Sequence, residues 1–267
     1  MRTLSVATLA TVATIFGSSG VAAAAPKDYC ADLKGANTGT SCVIQLADPA
    51  YGVSVSIPQD YPDQKSVSEY VSQTRDAFLN TAKSGAPRTA PYQLTLTPTE
   101  YTSAVPPRGS QAVVFKVTQS LGDGNSKTTF KAFNWDQTYR KTIAYTAAPD
   151  DKLNTPLWRV DDPLPTVAPI VAAELHKQLA PPPPVAPPTT PAEAGQPVTP
   201  TPSTTPPPPP APLPISSTAL YNPANYQNFA VVNDGVIFFF DQGVLLPDSA
   251  GPLQVLVPRS AIDPMIA

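Results

Sequence analysis

The chain holds one imidazole, His176, in the run AAELHKQL at 172–179. A serine or cysteine triad would need that ring as its base, yet no G-x-S-x-G elbow exists to present a serine to it. His176 therefore reads as a solvated or helix-terminal residue, a place that also suits the helix dipole. Carboxylates are the other source of acid–base chemistry. Glycosidase-type hydrolysis needs two of them a fixed distance apart. Glu100, Asp136, Glu174 and Asp241 are available, and surface or capping roles suit each of them better. Asp150-Asp151 and Asp161-Asp162 flank a loop that carries Trp158. A calcium loop wants alternating oxygen ligands and a glycine at its sharp turn, and neither pair has that spacing. No residue is assigned as catalytic, cofactor-binding or metal-binding, and no cofactor is expected.

The two cysteines, Cys30 and Cys42, gain meaning from what precedes them. Residues 1–24 show a basic Arg2, an apolar stretch from Leu4 to Phe16, and then Ala22-Ala23-Ala24. That is the layout of a secretory signal peptide cleaved before Ala25, too short in its apolar part to span a bilayer. The expected mature protein is secreted and extracellular, without stable membrane insertion. In an oxidising compartment Cys30 and Cys42 suggest a disulfide closing a Gly-Asn-Thr-containing loop. Two free thiols or a metal pair are the alternatives. One histidine is too few for a Cys/His zinc set.

Charge and composition exclude further classes. The net charge is −3 and the basic residues are scattered singly, so neither nucleic acid nor an anionic membrane has a footprint. Of the 36 prolines, 17 lie in Pro181–Pro214, where Glu193 is the one charge. Such a segment has almost nothing to bury and reads as a disordered, extended insert. Globular material is expected at 25–180, the first part of a single domain, and at 215–267, which completes it.

The elements that must position these residues follow from periodicity. Val43–Ala47 and Gly52–Ile57 read as strands. Ser66-x-x-Glu69 is a capping-box pattern that opens a helix with Val67, Tyr70, Val71, Thr74, Phe78 and Ala82 on one face, ended by Gly85 and Pro87. Strands resume over Tyr92–Tyr101, Gln111–Gln119, Thr128–Trp135 and Arg140–Tyr145. The short Gly- and Pro-bearing turns between them argue for antiparallel pairing and against βαβ crossovers. Leu164–Leu179 reads as a second helix. Phe229–Val232 and Val236–Phe240 pair across Asn233-Asp234-Gly235, where Gly and Asn supply positive φ, and Val255–Val257 joins them. The class is α+β: a largely antiparallel β-sheet packed by two helices.

Several long runs carry a resemblance. APKDYCADLKG (25–35), YPDQKSVSEYVSQTRDAFL (61–79), TTFKAFNWDQTYRK (128–141) and NYQNFAVVNDGVIFFF (225–240) are similar to the mycobacterial secreted immunogenic proteins of the MPT/MPB "sixty-four" antigen type. So are DPAYGVSVSIP (48–58), PPRGSQAVVFKV (106–117), DPLP (162–165) and LLPDSAGPLQVLVPRSAID (245–263). The resemblance spans nearly all the chain outside the proline-rich insert, where that family has a shorter link. It implies an exported α+β antigen without evident catalysis. The C-terminal half more loosely resembles the ectodomain of lysozyme-sensing anti-sigma factors, an analogy for binding alone.

The function expected from all this is that of a secreted, immunogenic, non-catalytic interaction protein. It would act as a monomer on an extracellular or host protein partner that the sequence does not name. Trp135, Tyr139, Trp158 and the Phe238–Phe240 run could line a ligand groove, and core packing is the commoner fate of such side chains. Phe238, Phe239 and Phe240 cannot all face one side of a strand. Either both faces of their sheet are covered, or one of them is an exposed anchor. Trp158, Phe238, Phe239 and Phe240 are thus the candidate interaction surface. The alternative function is a cell-wall-directed hydrolase using paired carboxylates.

Overall fold

A computed structural model describes residues 27–84, 89–105, 109–148, 150–179 and 215–267. The expected leader (1–24), the helix-ending Gly85 and Pro87, and the segment Pro181–Pro214 lie outside the described residues. A one-turn helix α1 (Tyr29–Asp32) and a two-residue strand β1 (Ala36–Asn37) lead into the hairpin of β2 (Ser41–Asp48) and β3 (Tyr51–Pro58). Cys42 and Ile44 of β2, and Val53, Val55 and Ile57 of β3, alternate into the core as the two-residue period requires.

Helix α2 (Gln64–Lys83) follows, and its start differs from the expected one. The Asp63 carboxylate accepts from Ser66 N at 3.1 Å, so Asp63 is the N-cap and Ser66 already lies in the first turn. Glu69 faces Lys65 at 3.9 Å instead of reaching back to the backbone. Gln64 Nε2 fixes the approach to the helix by donating to Pro58 O at 2.7 Å and Tyr61 O at 3.0 Å. A cap at Asp63 adds a turn's worth of backbone hydrogen bonds that a cap at Ser66 would forgo.

The helix also changes the topology. Strand β4 (Tyr92–Ser103) returns parallel to β3, in register from Tyr51↔Tyr92 to Val55↔Leu96. One βαβ crossover therefore exists where none was expected, because a parallel return needs the length that α2 provides. From there β5 (Ser110–Ser120), β6 (Ser126–Asp136) and β7 (Lys141–Ala144) continue antiparallel, and β8 (Asn154–Pro156) lies parallel to β7. These eight strands form one sheet in sequence order.

Helix α3 (Leu164–Gln178) carries Pro165 in its first turn, where a missing N–H costs nothing, and Pro169 further in. After a one-turn helix α4 (Ser217–Leu220), a second sheet forms from β9 (Phe229–Val232), β10 (Gly235–Phe240) and β11 (Leu253–Pro258), with β10 central. Helix α5 (Arg259–Ile262) follows. In the β9–β10 turn the positive φ (+151°) falls on Gly235, and Asn233 has none. A Cβ on Gly235 would stand 2.0 Å from Val257 O, so the close approach of β11 also requires glycine. Asn233 instead accepts from Ala104 N through its side-chain oxygen at 3.0 Å.

The class is α+β, with mostly antiparallel sheets. One core packs α2 on the large sheet; a second packs α3 on the small one; a small third core lies where the sheets meet. The free edge of β6 is closed by side chains in place of a strand. Thr128 N donates to Gln242 Oε1 (3.0 Å), Phe130 N to Asp241 Oδ1 (2.7 Å) and Ala132 N to Asn228 Oδ1 (3.0 Å). Asn134 Nδ2 returns a bond to Phe229 O at 2.8 Å. Every second amide of the edge is thus satisfied from the C-terminal segment.

Candidate functional site

Most of the chemically capable side chains act as fasteners. Asp136 is fully buried, and its Oδ1 accepts from Thr138 N (2.8 Å) and Tyr139 N (2.9 Å), closing the β6–β7 turn. Asp241 caps the β6 edge as above; burial raises its carboxyl pKa, partly offset by the Phe130 N–H and by Lys127. Glu174 pairs with Lys177 at 2.6 Å on the surface of α3. His176 is exposed, and its Nδ1 lies 2.6 Å from Ala172 O one turn back. Cys30 and Cys42 form a disulfide that ties α1 to β2. Among the described residues no three His, Cys, Asp or Glu side chains gather as metal ligands.

Glu100 is the exception. It lines a cleft of about 550 Å³ with Asp60, Gln59, Ser41, Thr40 and Gly39, beyond the carboxyl end of β3 and beside the part of β4 that runs on past their parallel pairing. Desolvation raises the Glu100 pKa, and the charge and hydrogen bond of Asp60 raise it further. A carboxyl whose pKa is raised beside a second carboxyl is a candidate acid next to a candidate base. With an added water, such a pair has the parts for general acid–base hydrolysis of a neutral substrate. Asp60 is forty residues from Glu100, and the parallel register that unites them is the topological feature the sequence reading lacked.

The four residues of the expected interaction surface lie inside. Phe238, Phe239 and Phe240 are 0%, 2% and 1% exposed, and Trp158 is 4% exposed. Both faces of the small sheet are covered, which decides between the two readings of the phenylalanine run. Phe238 and Phe240 point into the α3 core, where Tyr226 meets each edge-on at 5.2 and 5.3 Å. Phe239 points the other way, between Tyr101 (5.7 Å) and Phe130 (5.3 Å) over the small residues Ala112 and Val114. Of the other groove candidates Trp135 is half-buried, whereas Tyr139 is 63% exposed.

Comparison with known proteins places this chain. It is 50% identical over 260 residues to the immunogenic proteins MPB64 of Mycobacterium bovis and MPT64 of Mycobacterium tuberculosis, covering 97% of this chain and 97% of each relative. The chain belongs to this family of mycobacterial immunogenic proteins. It is also 34% identical over 261 residues, again 97% of both chains, to a Mycobacterium tuberculosis protein named as an esterase. Residues 156–260 match a protein family of unknown function, DUF3298. Two crystal structures of DUF3298 proteins align with it. One, from Bacteroides fragilis, has a TM-score of 0.43 and 13% identity, covering 87% of this chain and 96% of that one. The other, from Pseudomonas aeruginosa, has a TM-score of 0.46 and 8% identity, covering 85% and 93%. Among the described residues no helix is long and apolar enough to cross a membrane.

Proposed function

We propose that the protein is exported through its N-terminal leader and acts outside the cell by binding a macromolecular partner, without catalysing a reaction. The observation that carries this reading is the commitment of Asp136, Asp241, Glu174, His176 and both cysteines to structural bonds. The names of the 50%-identical relatives support an antigen exposed to a host. The test has two parts. Secreted protein should begin at Ala25 by N-terminal sequencing. Immobilised mature protein should then retain a component of host or bacterial extracellular fractions that, once purified, binds in a saturable 1:1 titration. Retention of nothing that titrates would end this reading.

A second reading has a specific observation in its favour, the Asp60–Glu100 pair in its cleft, together with the 34%-identical relative named as an esterase. On this reading the protein hydrolyses a neutral ester. Protonated Glu100 donates to the departing alkoxide while Asp60 takes a proton from the attacking water. Glu100→Gln and Asp60→Asn would each lower turnover of a p-nitrophenyl ester by about 100-fold or more. Turnover that survives both changes, or none by the unmodified protein, would remove it.

A further inference from the structure

Side chains close two strand edges of this molecule. The β6 edge is met by Asn228, Asp241 and Gln242. On the outer edge of β9, Phe229 O accepts from Asn134 and Val231 O from Ser110. Strand β11, the opposite edge of the small sheet, is treated differently. Its outward groups follow from the register of β10. Phe239 N donates to Asn228 O at 2.9 Å, one step beyond the Phe238↔Phe229 pairing. Residues 235, 237 and 239 therefore bond toward β9, and 236, 238 and 240 toward β11. The partners Val257, Val255 and Leu253 bond inward, so Gln254 and Leu256 turn their N–H and C=O groups away from the sheet. Gln178 Nε2, at the end of α3, donates to Gln254 O from that outer side at 3.3 Å.

Among the described residues no other bond reaches this edge: the Gln254 N–H and both backbone groups of Leu256 have no partner in the fold. Both residues are exposed, Leu256 at 39%, so water serves these groups. Between Pro252 and Pro258 the strand has no charge, no bulge and no proline, the devices that usually blunt an edge. Leu256 stands opposite the half-buried Ile237, on the face turned away from α3. It extends an apolar stripe that stops at the edge.

We propose that β11 pairs antiparallel with β11 of a second copy of this chain, joining two small sheets into one of six strands. With the two-fold axis at Val255, Gln254 of each copy faces Leu256 of the other. Each such pair exchanges two N–H···O bonds, four in all, and every outward donor is used. Gln254 O has a second lone pair for this beside its bond from Gln178. The next pair outward sets Pro252 opposite Pro258, two residues with no N–H to lose. The strand is thus its own complement: no charge meets a like charge, and the missing donors fall opposite each other. The ladder is short, so the dimer is weak and forms from the expected monomer only as concentration rises. It stands whichever reading of the function holds.

Sedimentation equilibrium of the mature protein is measured from about 10 μM to about 1 mM, the range in which so small an interface assembles. The mass should rise toward that of a dimer. Over the same range amide exchange at Gln254 and Leu256 should slow by about tenfold or more. Gln254→Lys combined with Leu256→Lys sets like charges opposite each other at both pairs and should abolish association. Both positions are exposed, and thermal unfolding of the dilute variant checks that its fold is kept. An equimolar mixture with the variant carrying Gln254→Glu and Leu256→Glu should associate again, because each pair then joins opposite charges. A monomer's mass throughout the range, a dimer that the lysine variant keeps, or folded charge-swapped variants that stay apart when mixed would overturn the proposal. So would slow exchange at Gln254 and Leu256 that is independent of concentration, which would put a segment of the same chain on the edge.

Discussion

The α2 core and the α3 core are fastened by different means. The first draws on residues from Cys30 to Val117, neighbours along the chain, and a disulfide ties its outer corner. The second draws on Ile143–Leu175 and again on Leu220–Ile266, with residues 180–214 intervening in sequence. It has no covalent tie among the described residues. What it has is aromatic density: Tyr145, Trp158, Tyr226, Phe238 and Phe240 meet mostly edge-on, with Phe229 tilted against Phe238. Contiguous sequence with a crosslink and discontinuous sequence with large rings are two answers to the same entropic cost of assembly. Between them the sheets meet through Phe239 and the side chains that close the β6 edge.

That junction is where the comparison can be broken most severely. Phe239→Ala removes the one large side chain set between Tyr101 and Phe130 and leaves a cavity over Ala112 and Val114. A loss of about 3–5 kcal/mol is expected. If the cores depend on each other, unfolding in urea will shift as one transition. If they are independent, only the signal of one core will move. The disulfide is next. Replacing Cys30 and Cys42 with serine should cost roughly 3 kcal/mol through the freedom returned to the unfolded chain. By hydrogen exchange the loss should centre on α1, β1 and β2, with the α3 core less exposed to it.

How much of this was legible beforehand differs between the cores in the same way. In the second core the hairpin was readable, because Asn233-Asp234-Gly235 lies between two apolar runs and the signal is local. The burial of Phe239 was not, since what covers it comes from β4, β5 and β6, more than a hundred residues earlier. In the first core the strands and α2 were readable within a few residues. Their parallel return was not, because turn residues report where a chain bends and not which strand it then meets. The Asp60–Glu100 pair was invisible for that same reason. Ser66 as N-cap was a different error: two overlapping cap patterns compete, and Gln64's bonds to Pro58 and Tyr61 settle it for Asp63.

A smaller effect sharpens the account of the junction. Asp241→Ala would leave the Phe130 N–H without its acceptor, at a cost of about 1–2 kcal/mol. The wild-type carboxyl also titrates there. Burial raises its folded pKa above the unfolded value, so the native state binds the proton more tightly. Its contribution to stability is therefore fully present below the unfolded pKa and is lost as pH rises through the folded one. Asp241→Asn has no such proton. Subtracting its urea-unfolding free energies from those of the wild type across acidic pH should leave a difference that falls with rising pH. A flat or rising difference would show that Asp241 is not held as described.

The smallest expected effect concerns the interruption itself. Leu175 of α3 and Leu220 of α4, on either side of 180–214, are buried in the same core. Their shared core suits the expectation of one domain interrupted in sequence, against two domains joined by a spacer, and the two alternatives make opposite demands. Loop-closure entropy grows slowly, by about 0.6 kcal/mol per doubling of length. Replacing Pro181–Pro214 with a six-residue Gly/Ser link should leave the fold intact and raise stability by about 1 kcal/mol or less. The two-domain alternative makes the opposite demand, that Ile215–Ala267 folds alone. That piece would keep β9–β11 yet lose α3, Tyr145 and Trp158 from its core and the cover over Phe239. A fragment this short, without a disulfide, has too little apolar area left to offset its chain entropy. The shortened chain, the isolated piece and the full mature protein can be compared by thermal unfolding. Failure of the shortened chain to fold, or a cooperative transition in the isolated piece, would show that the second core is a separate unit and that Phe239 joins two proteins in one chain.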